Sequence, residues 1–160
     1  MVSSIGNNKL SLKNQEFKDQ TLRSLWLKGI DRLKKYSITD SALECELLLR
    51  SALGYTKSDF YSHLPDALLE QEVLLIERLI ERRLLGEPTP YILGFKEFYG
   101  IEFYVSEDVL IPRPETELLV DLSIAKFKDG GLIADIGTGS GCIAVSIASQ
   151  LPNLKIIAVD

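Results

Sequence analysis

The 160-residue sequence predicts an α plus α/β chain, in which a small N-terminal helical bundle is followed by a β-hairpin linker and then by a βαβ unit. Three observations predict that order. Apolar residues recur at helical spacing between positions 22 and 84. After Gly86 the composition turns to Gly, Pro, aromatic and β-branched residues. Two short apolar runs, 132–136 and 155–160, then flank a glycine-rich turn and a further helical segment.

The first twenty residues are polar and without clear periodicity, and they are read as a mobile tail or a frayed helix start. Leu22, Leu25, Trp26, Ile30 and Leu33 make one apolar stripe over about three turns, the mark of an amphipathic helix. A second helix is expected after Thr39 or Asp40, whose side-chain oxygens can cap it. Its inner face is Ala42, Cys45, Leu48, Leu49 and Ala52, and Gly54 stops it. A short third helix is expected over 57–61. The longest helical signal covers 66–85, with Leu69, Val73, Ile76, Leu79, Ile80 and Leu84 inward. Packing these faces against one another makes a helical domain over 21–85.

Residues 86–114 are read as hairpin and Pro-rich linker. Segments 95–99 and 102–105 predict two strands about a turn at Gly100-Ile101. Pro112 and Pro114 remove two amide donors and bias Ile111 and Arg113 to extended geometry, so 111–114 is a stiff connector. Residues 115–160 start the α/β domain. A helix over 115–127 carries Leu118, Leu119, Leu122 and Ala125 on one side. A buried-type strand follows at 132–136, then a helix over about 141–150 and a second strand at 155–160.

Composition excludes several classes of function. With 46% hydrophobic and 26% charged residues, the chain is that of an ordered globular protein. A membrane-spanning helix needs about 20 apolar residues, and the longest apolar runs, such as 73–76 and 156–159, have four. The amino terminus lacks the apolar core of a secretory signal, so a cytoplasmic location is expected. Cys45 and Cys142 lie far apart and His63 is the single histidine, so neither a disulfide framework nor a metal site is expected. The net charge of −5 divides into +1 over residues 1–85 and −6 over 86–160, which argues against a basic nucleic-acid surface. Arg78, Arg82 and Arg83 are the local exception, either a solvated helix face or a recognition face. A monomer is expected.

The segment Asp135-Ile136-Gly137-Thr138-Gly139-Ser140-Gly141 lies between the first strand and its helix. Alternate glycines let the backbone turn sharply and leave room for a ligand against it, while the helix start offers free amides. Asp160 ends the second strand, 25 residues after Asp135, where a carboxylate at the crevice of an α/β sheet can accept hydrogen bonds from two ribose hydroxyls. Glycine loop plus strand-end acid is a nucleoside-binding pattern; the alternative is a tight turn that binds nothing. The dinucleotide fingerprint needs Gly or Ala where this chain has Cys142.

The G-x-G-x-G spacing, preceded by Asp135, resembles the first motif of class I S-adenosylmethionine-dependent methyltransferases. Three further segments narrow the resemblance: Gly86-Glu87-Pro88-Thr89-Pro90-Tyr91-Ile92-Leu93-Gly94, then Phe98-Tyr99-Gly100, then Val109-Leu110-Ile111-Pro112-Arg113-Pro114-Glu115-Thr116-Glu117. With the helical domain before them and the glycine loop after, they are similar to the release factor glutamine methyltransferase family over residues 22–160.

The resemblance implies a Rossmann-like class I sheet opening at residue 132, with S-adenosylmethionine held by Asp135, Gly137, Thr138, Gly139, Ser140, Gly141 and Asp160. It implies that the substrate is the side-chain amide of the glutamine in a Gly-Gly-Gln motif of class I peptide chain release factors, and that the helical domain recognises that protein. Arg113, Pro114, Glu115 and Thr116 are a candidate lid near the methyl donor, or else a rigid linker with a capped helix start. Family members carry an Asn-Pro-Pro-Tyr motif after a later strand, which accepts both amide hydrogens and orients a poor nucleophile. The catalytic residues are therefore expected beyond Asp160, and the chain is expected to be an N-terminal part, inactive by itself.

Two other functions use parts of the pattern. A nucleic-acid adenine methyltransferase shares the cofactor loop, although the acidic second half argues against it. A non-catalytic fragment that binds a partner through its helices is the other. Cys142 begins a helix, whose dipole can lower a thiol pKa, but Ile143 and Ala144 beside it indicate core. Cys45 and Trp26 are read as core, and His63 as an exposed turn.

Overall fold

The computed structural model describes residues 20–160, so the expected tail lies outside the described residues except for Gln20. The chain divides into two compact units, one ending at Ile92 and the other running from Leu93 to Asp160.

The first unit is helical: α1 (Leu22–Lys35), α2 (Ser41–Leu53), α3 (Lys57–Ser62), α4 (Glu70–Leu84) and α5 (Thr89–Leu93). Thr21 starts α1 by accepting the Ser24 amide on Oγ1 at 3.2 Å. Thr56 and Asp59 start α3 with reciprocal bonds, each side chain accepting the other's amide. Leu22, Leu25 and Leu33 of α1, Leu48 and Leu49 of α2, and Val73, Ile76 and Ile80 of α4 are buried as the sequence periodicity expects, and Phe60 of α3, for which the sequence gives no inward expectation, is buried as well. Trp26 is half-buried, edge-on to Phe60 with ring centroids 5.3 Å apart. His63 closes α3, its Nδ1 at 2.7 Å from the Asp59 carbonyl.

Three local expectations are corrected. Neither Thr39 nor Asp40 caps α2 with its side chain: Asp40 sits at ψ 43°, outside the extended conformation that aims a capping oxygen at the first amides, and its backbone carbonyl accepts Glu44 instead. Ala42, expected inward, is exposed. The long helix begins at Glu70, four residues later than expected. The preceding residues are drawn into backbone pairing with the start of α1, Leu22 N–H to Asp66 O and Leu68 N–H to Gln20 O, both 3.0 Å. Leu69 is consequently 60% exposed, and its amide is taken by the Glu72 carboxylate.

The arginine cluster is not a free basic face. Arg82 binds Glu87, and Arg83 binds Glu44, which also accepts the Thr89 hydroxyl at 2.7 Å. Arg78 is exposed. Arg32 meets Glu77 and Glu81, joining α1 to α4. Gly29 gives α1 its close approach to α2: a Cβ there would lie 2.5 Å from Cys45 Sγ and 3.1 Å from Ile80 Cδ1. Burial pushes the Cys45 thiol up to about 12, as suits a core residue with no reactive role.

The second unit contains β1 (Phe95–Phe98), β2 (Ile101–Tyr104), a 3₁₀ turn (Pro114–Thr116), α6 (Glu117–Phe127), β3 (Leu132–Ile136), α7 (Cys142–Gln150) and β4 (Lys155–Val159). β1 and β2 pair antiparallel, Phe98 opposite Ile101, which places the turn at Tyr99-Gly100 and not at Gly100-Ile101. Both turn residues have positive φ, 54° and 73°, the requirement of the two-residue turn whose twist matches a hairpin. Tyr99 is held there by α6: its amide donates to Glu117 Oε1 at 2.9 Å and its hydroxyl to Asp121 Oδ1 at 2.8 Å. The hairpin, read as linker, is thereby built into the core of the second unit, where Phe98 and Phe103 join Val120, Cys142, Ile147 and Leu154.

β3 and β4 pair in parallel through the intervening α7, with Asp135 opposite Ala158. One face, with Ile133 and Ile156, packs on that core, while Leu132, Ile136, Ile157 and Val159 are exposed. On α6 the expected face is reversed. Leu118, Leu119 and Leu122 are exposed, and Val120, Ile124 and Phe127 turn to the core. The helix is apolar on both sides, so periodicity alone does not choose between them.

Two measurements test this packing. Gly29→Ala should destabilise the helical unit by about 1–3 kcal/mol in denaturant unfolding followed by Trp26 fluorescence, because the added methyl overpacks the crossing. The cost should shrink in a Cys45→Ala background, and an equal cost there would locate the strain elsewhere.

The second concerns Tyr99, whose hydroxyl is held above the usual tyrosine range chiefly by its bond to Asp121, then by burial and the charges of Asp121 and Glu117. A raised folded-state value means that the contribution is complete below the unfolded tyrosine value of about 10 and is lost as pH rises through the folded one. The stability difference between the parent and Tyr99→Phe should therefore vanish in strongly alkaline buffer. A constant difference from neutral to alkaline pH would remove the hydroxyl bond as its source.

Candidate functional site

The glycine loop begins where β3 ends. Gly137, Gly139 and Gly141 have φ of 77°, 53° and 77°, so the chain reverses through left-handed backbone that side chains rarely adopt. The reversal is closed onto the neighbouring strand: the amides of Gly137 and Thr138 both donate to the Val159 carbonyl, at 2.8 and 3.1 Å. Gly141 then donates to the Thr138 carbonyl at 2.9 Å and starts α7 in the left-handed region.

Around this loop the expected residues fall as follows. Asp135 is half-buried at the end of β3, and its Oδ2 accepts the Thr138 hydroxyl at 2.8 Å. Asp160 is exposed, directly after Val159, two residues beyond the register partner of Asp135. Ser140 Oγ is buried with no hydrogen-bond partner, an orphaned polar atom at the mouth of α7. A Cβ added to Gly137 or Gly139 would meet nothing within 4 Å, so the loop backbone faces open space. A polar ligand that accepts from amides and donates to carboxylates fits that arrangement: backbone donors at a helix start, two strand-end acids, an unpaired hydroxyl and room beside the glycines.

The candidate lid lies apart in its bonding. Arg113 is an exposed, extended residue before the 3₁₀ turn of Pro114–Thr116, whose Thr116 amide closes on the Arg113 carbonyl at 3.0 Å. Among the described residues, no hydrogen bond joins 113–116 to the glycine loop; the neighbouring Glu117 is committed to the hairpin. A concavity of about 90 Å³ at Phe127, Leu151 and Leu154 is at the other, amino-terminal end of the two strands. Cys142 is buried in the core, not turned to the loop as a reactive thiol.

Sequence reasoning did not find two parts of the site. The Val159 carbonyl leaves no mark in residue type. The Thr138–Asp135 bond joins two side chains across the turn, so it follows from the loop's conformation and is not one of the side-chain-to-backbone turns that sequence spacing marks.

Residues 24–94 match the PrmC N-terminal domain. The chain is 38% identical to the release factor glutamine methyltransferase of Geobacter sulfurreducens over 84% of its length and 47% of that protein's. It is 39% identical to the protein of the same name from Neisseria gonorrhoeae, over 84% of this chain and 46% of that one. The bifunctional methyltransferase of Rickettsia felis is 36% identical over 88% of this chain and 32% of its own. The chain belongs to the release factor glutamine methyltransferase family, and it spans about half the length, or less, of the curated relatives it matches.

The backbone requirement of the loop is testable without any ligand. Because nothing crowds Gly139, its replacement acts through φ alone. Gly139→Asn should cost less stability than Gly139→Ala, and Gly139→Val most, with Ala near 1 kcal/mol. Equal losses for the three in thermal unfolding of the second unit would mean that the left-handed conformation is not required.

Proposed function

We propose that the protein of which these residues form part transfers a methyl group from S-adenosylmethionine to the side-chain amide of the glutamine in a Gly-Gly-Gln motif of class I peptide chain release factors. The observation that carries this reading is the glycine loop latched to the end of β4, with the acids of Asp135 and Asp160 at adjacent strand ends. S-adenosylmethionine supplies an electrophilic methyl on a sulfonium. This chain's part is to hold that donor: the backbone of Gly137, Thr138, Gly139, Ser140 and Gly141 forms the cradle, and Asp160 accepts the ribose hydroxyls. The open apolar face of Leu132, Ile136, Ile157 and Val159 supports reading the parallel pair as part of a larger Rossmann-like sheet, since parallel sheets are covered on both faces.

On this proposal the helical domain over 21–85 docks the protein substrate. Binding energy gathered far from the reacting nitrogen then holds the amide in line with the methyl. Residues 86–114 join that domain to the donor site, and Arg113, Pro114, Glu115 and Thr116 close over it as a lid. On the same reading the protein acts as a monomer without contacting nucleic acid and belongs to the cytoplasm. No helix among the described residues is long and apolar enough to cross a membrane.

Titration calorimetry with S-adenosylmethionine tests the donor site. Asp160→Ala should weaken binding by about 1.5–3 kcal/mol, the range for hydrogen bonds to a charged group. Unchanged affinity would remove Asp160 from the site, and a parent chain that takes up no S-adenosylmethionine would overturn the donor-site reading.

A further inference from the structure

Thr138 is the most heavily engaged residue of the glycine loop. Its amide donates to the Val159 carbonyl at 3.1 Å, its carbonyl accepts Gly141 at 2.9 Å, and its hydroxyl donates to Asp135 Oδ2 at 2.8 Å. Those three bonds reach three different parts of the cradle: the end of β3, the end of β4 and the start of α7. The hydroxyl proton can serve only one strong acceptor, and here it is spent within the protein on a carboxylate, the stronger kind of hydrogen bond.

We infer that Thr138 acts as a positioning residue, its hydroxyl locking the Asp135 carboxylate while its amide ties the loop to the carbonyl that precedes Asp160. The inference rests on the donor-site reading above and deepens it, because it divides the loop residues by role. Asp135 and Asp160 present carboxylates to the ligand, the glycines present backbone, and Thr138 fixes the first acid relative to the second. An isolated aspartate at a strand end is free to rotate about χ1 and χ2 and loses that freedom when it binds; one already held by Thr138 has lost it before the ligand arrives. The same bond satisfies one carboxylate oxygen and leaves the other directed by the lock.

The chemistry separates a lock from a direct contact. Thr138→Val keeps the shape and removes the hydroxyl, whereas Thr138→Ser keeps the hydroxyl and removes a methyl. In titration calorimetry of the whole chain with S-adenosylmethionine, Thr138→Val should weaken binding roughly tenfold, and Thr138→Ser should remain within about twofold of the parent. In an Asp135→Ala background, where there is no carboxylate to hold, Thr138→Val should change affinity by less than about twofold. A tenfold loss that persists without Asp135 would mean that the hydroxyl touches the ligand itself and would overturn the inference, as would a Thr138→Ser variant as impaired as Thr138→Val.

A second measurement needs no ligand. The carboxyl-carbon resonance of Asp135, observed by ¹³C NMR, should move in Thr138→Val and return toward the parent position in Thr138→Ser. A resonance indifferent to both substitutions overturns the lock even if the chain binds no S-adenosylmethionine. Failure of binding with the expected resonance shifts overturns only the donor-site reading.

Discussion

Val159 ends β4 with a carbonyl that accepts two amide protons, and much of the second unit is arranged around that junction. The two donors, Gly137 and Thr138, reach it only because the chain turns through left-handed backbone as it leaves β3. That turn is possible only where β3 and β4 are parallel and in a register that puts Ile136 beside Val159. The register in turn depends on the face that Ile133 and Ile156 present to Val120, Ile147 and Leu154. A one-residue slip would put those side chains on the open face and carry Val159 away from the loop. Packing in the core thus determines where the backbone donors and the two acids stand.

The helical unit follows a different logic. Its core of Leu, Ile, Val and Phe side chains is closed at Gly29, where α1 comes within reach of Cys45 and Ile80. Charge is arranged around that core in pairs. Arg32 spans to two glutamates of α4, Arg50 and Tyr61 meet at the buried Glu46, and Arg83 and Thr89 share Glu44. Partly exposed pairs of this kind add little stability each, but they fix relations between elements. Glu44 joins α2, α4 and the start of α5, the last helix before the hairpin. Because Arg82 and Arg83 are occupied in this way, the described surface of the unit around them is one of paired charge, with exposed Leu and Tyr side chains elsewhere on the helices.

The residues that could be read from the sequence are those whose chemistry is local. The stripes of α1 and α4 and the glycines of the loop each state a backbone requirement in a few consecutive positions, and the structure places helix, strand and turn there. What could not be read depends on a partner distant in sequence. The start of α4 is set by backbone pairing with residues 20–23. The hairpin turn takes Tyr99 into left-handed backbone because Glu117 and Asp121 hold both its amide and its hydroxyl, so a residue that statistics disfavour there is the one used. The inner side of α6 is not legible in the sequence because both sides are apolar; it is set by the positions of Phe98 and Phe103, residues of another element. At the site, Asp135, Asp160 and the glycines were visible as types at spacings, whereas the Val159 carbonyl was visible only as geometry.

The same distinction bears on the surfaces left open. Leu118, Leu119 and Leu122 on α6 and Leu132, Ile136, Ile157 and Val159 on the strand pair are exposed apolar groups on regular elements, not scattered single residues. Scattered exposed leucines are ordinary, but a strand pair apolar on both faces has the composition of a strand pair covered on both. The covered face already carries α6 and α7 and sets the register on which the glycine loop depends. The open face is therefore not needed to shape the loop, and the cradle of Gly137 to Gly141 follows from one side of the sheet alone. The geometry of the loop is therefore specified by residues 132–160 together with the hairpin and α6 side chains packed beneath them.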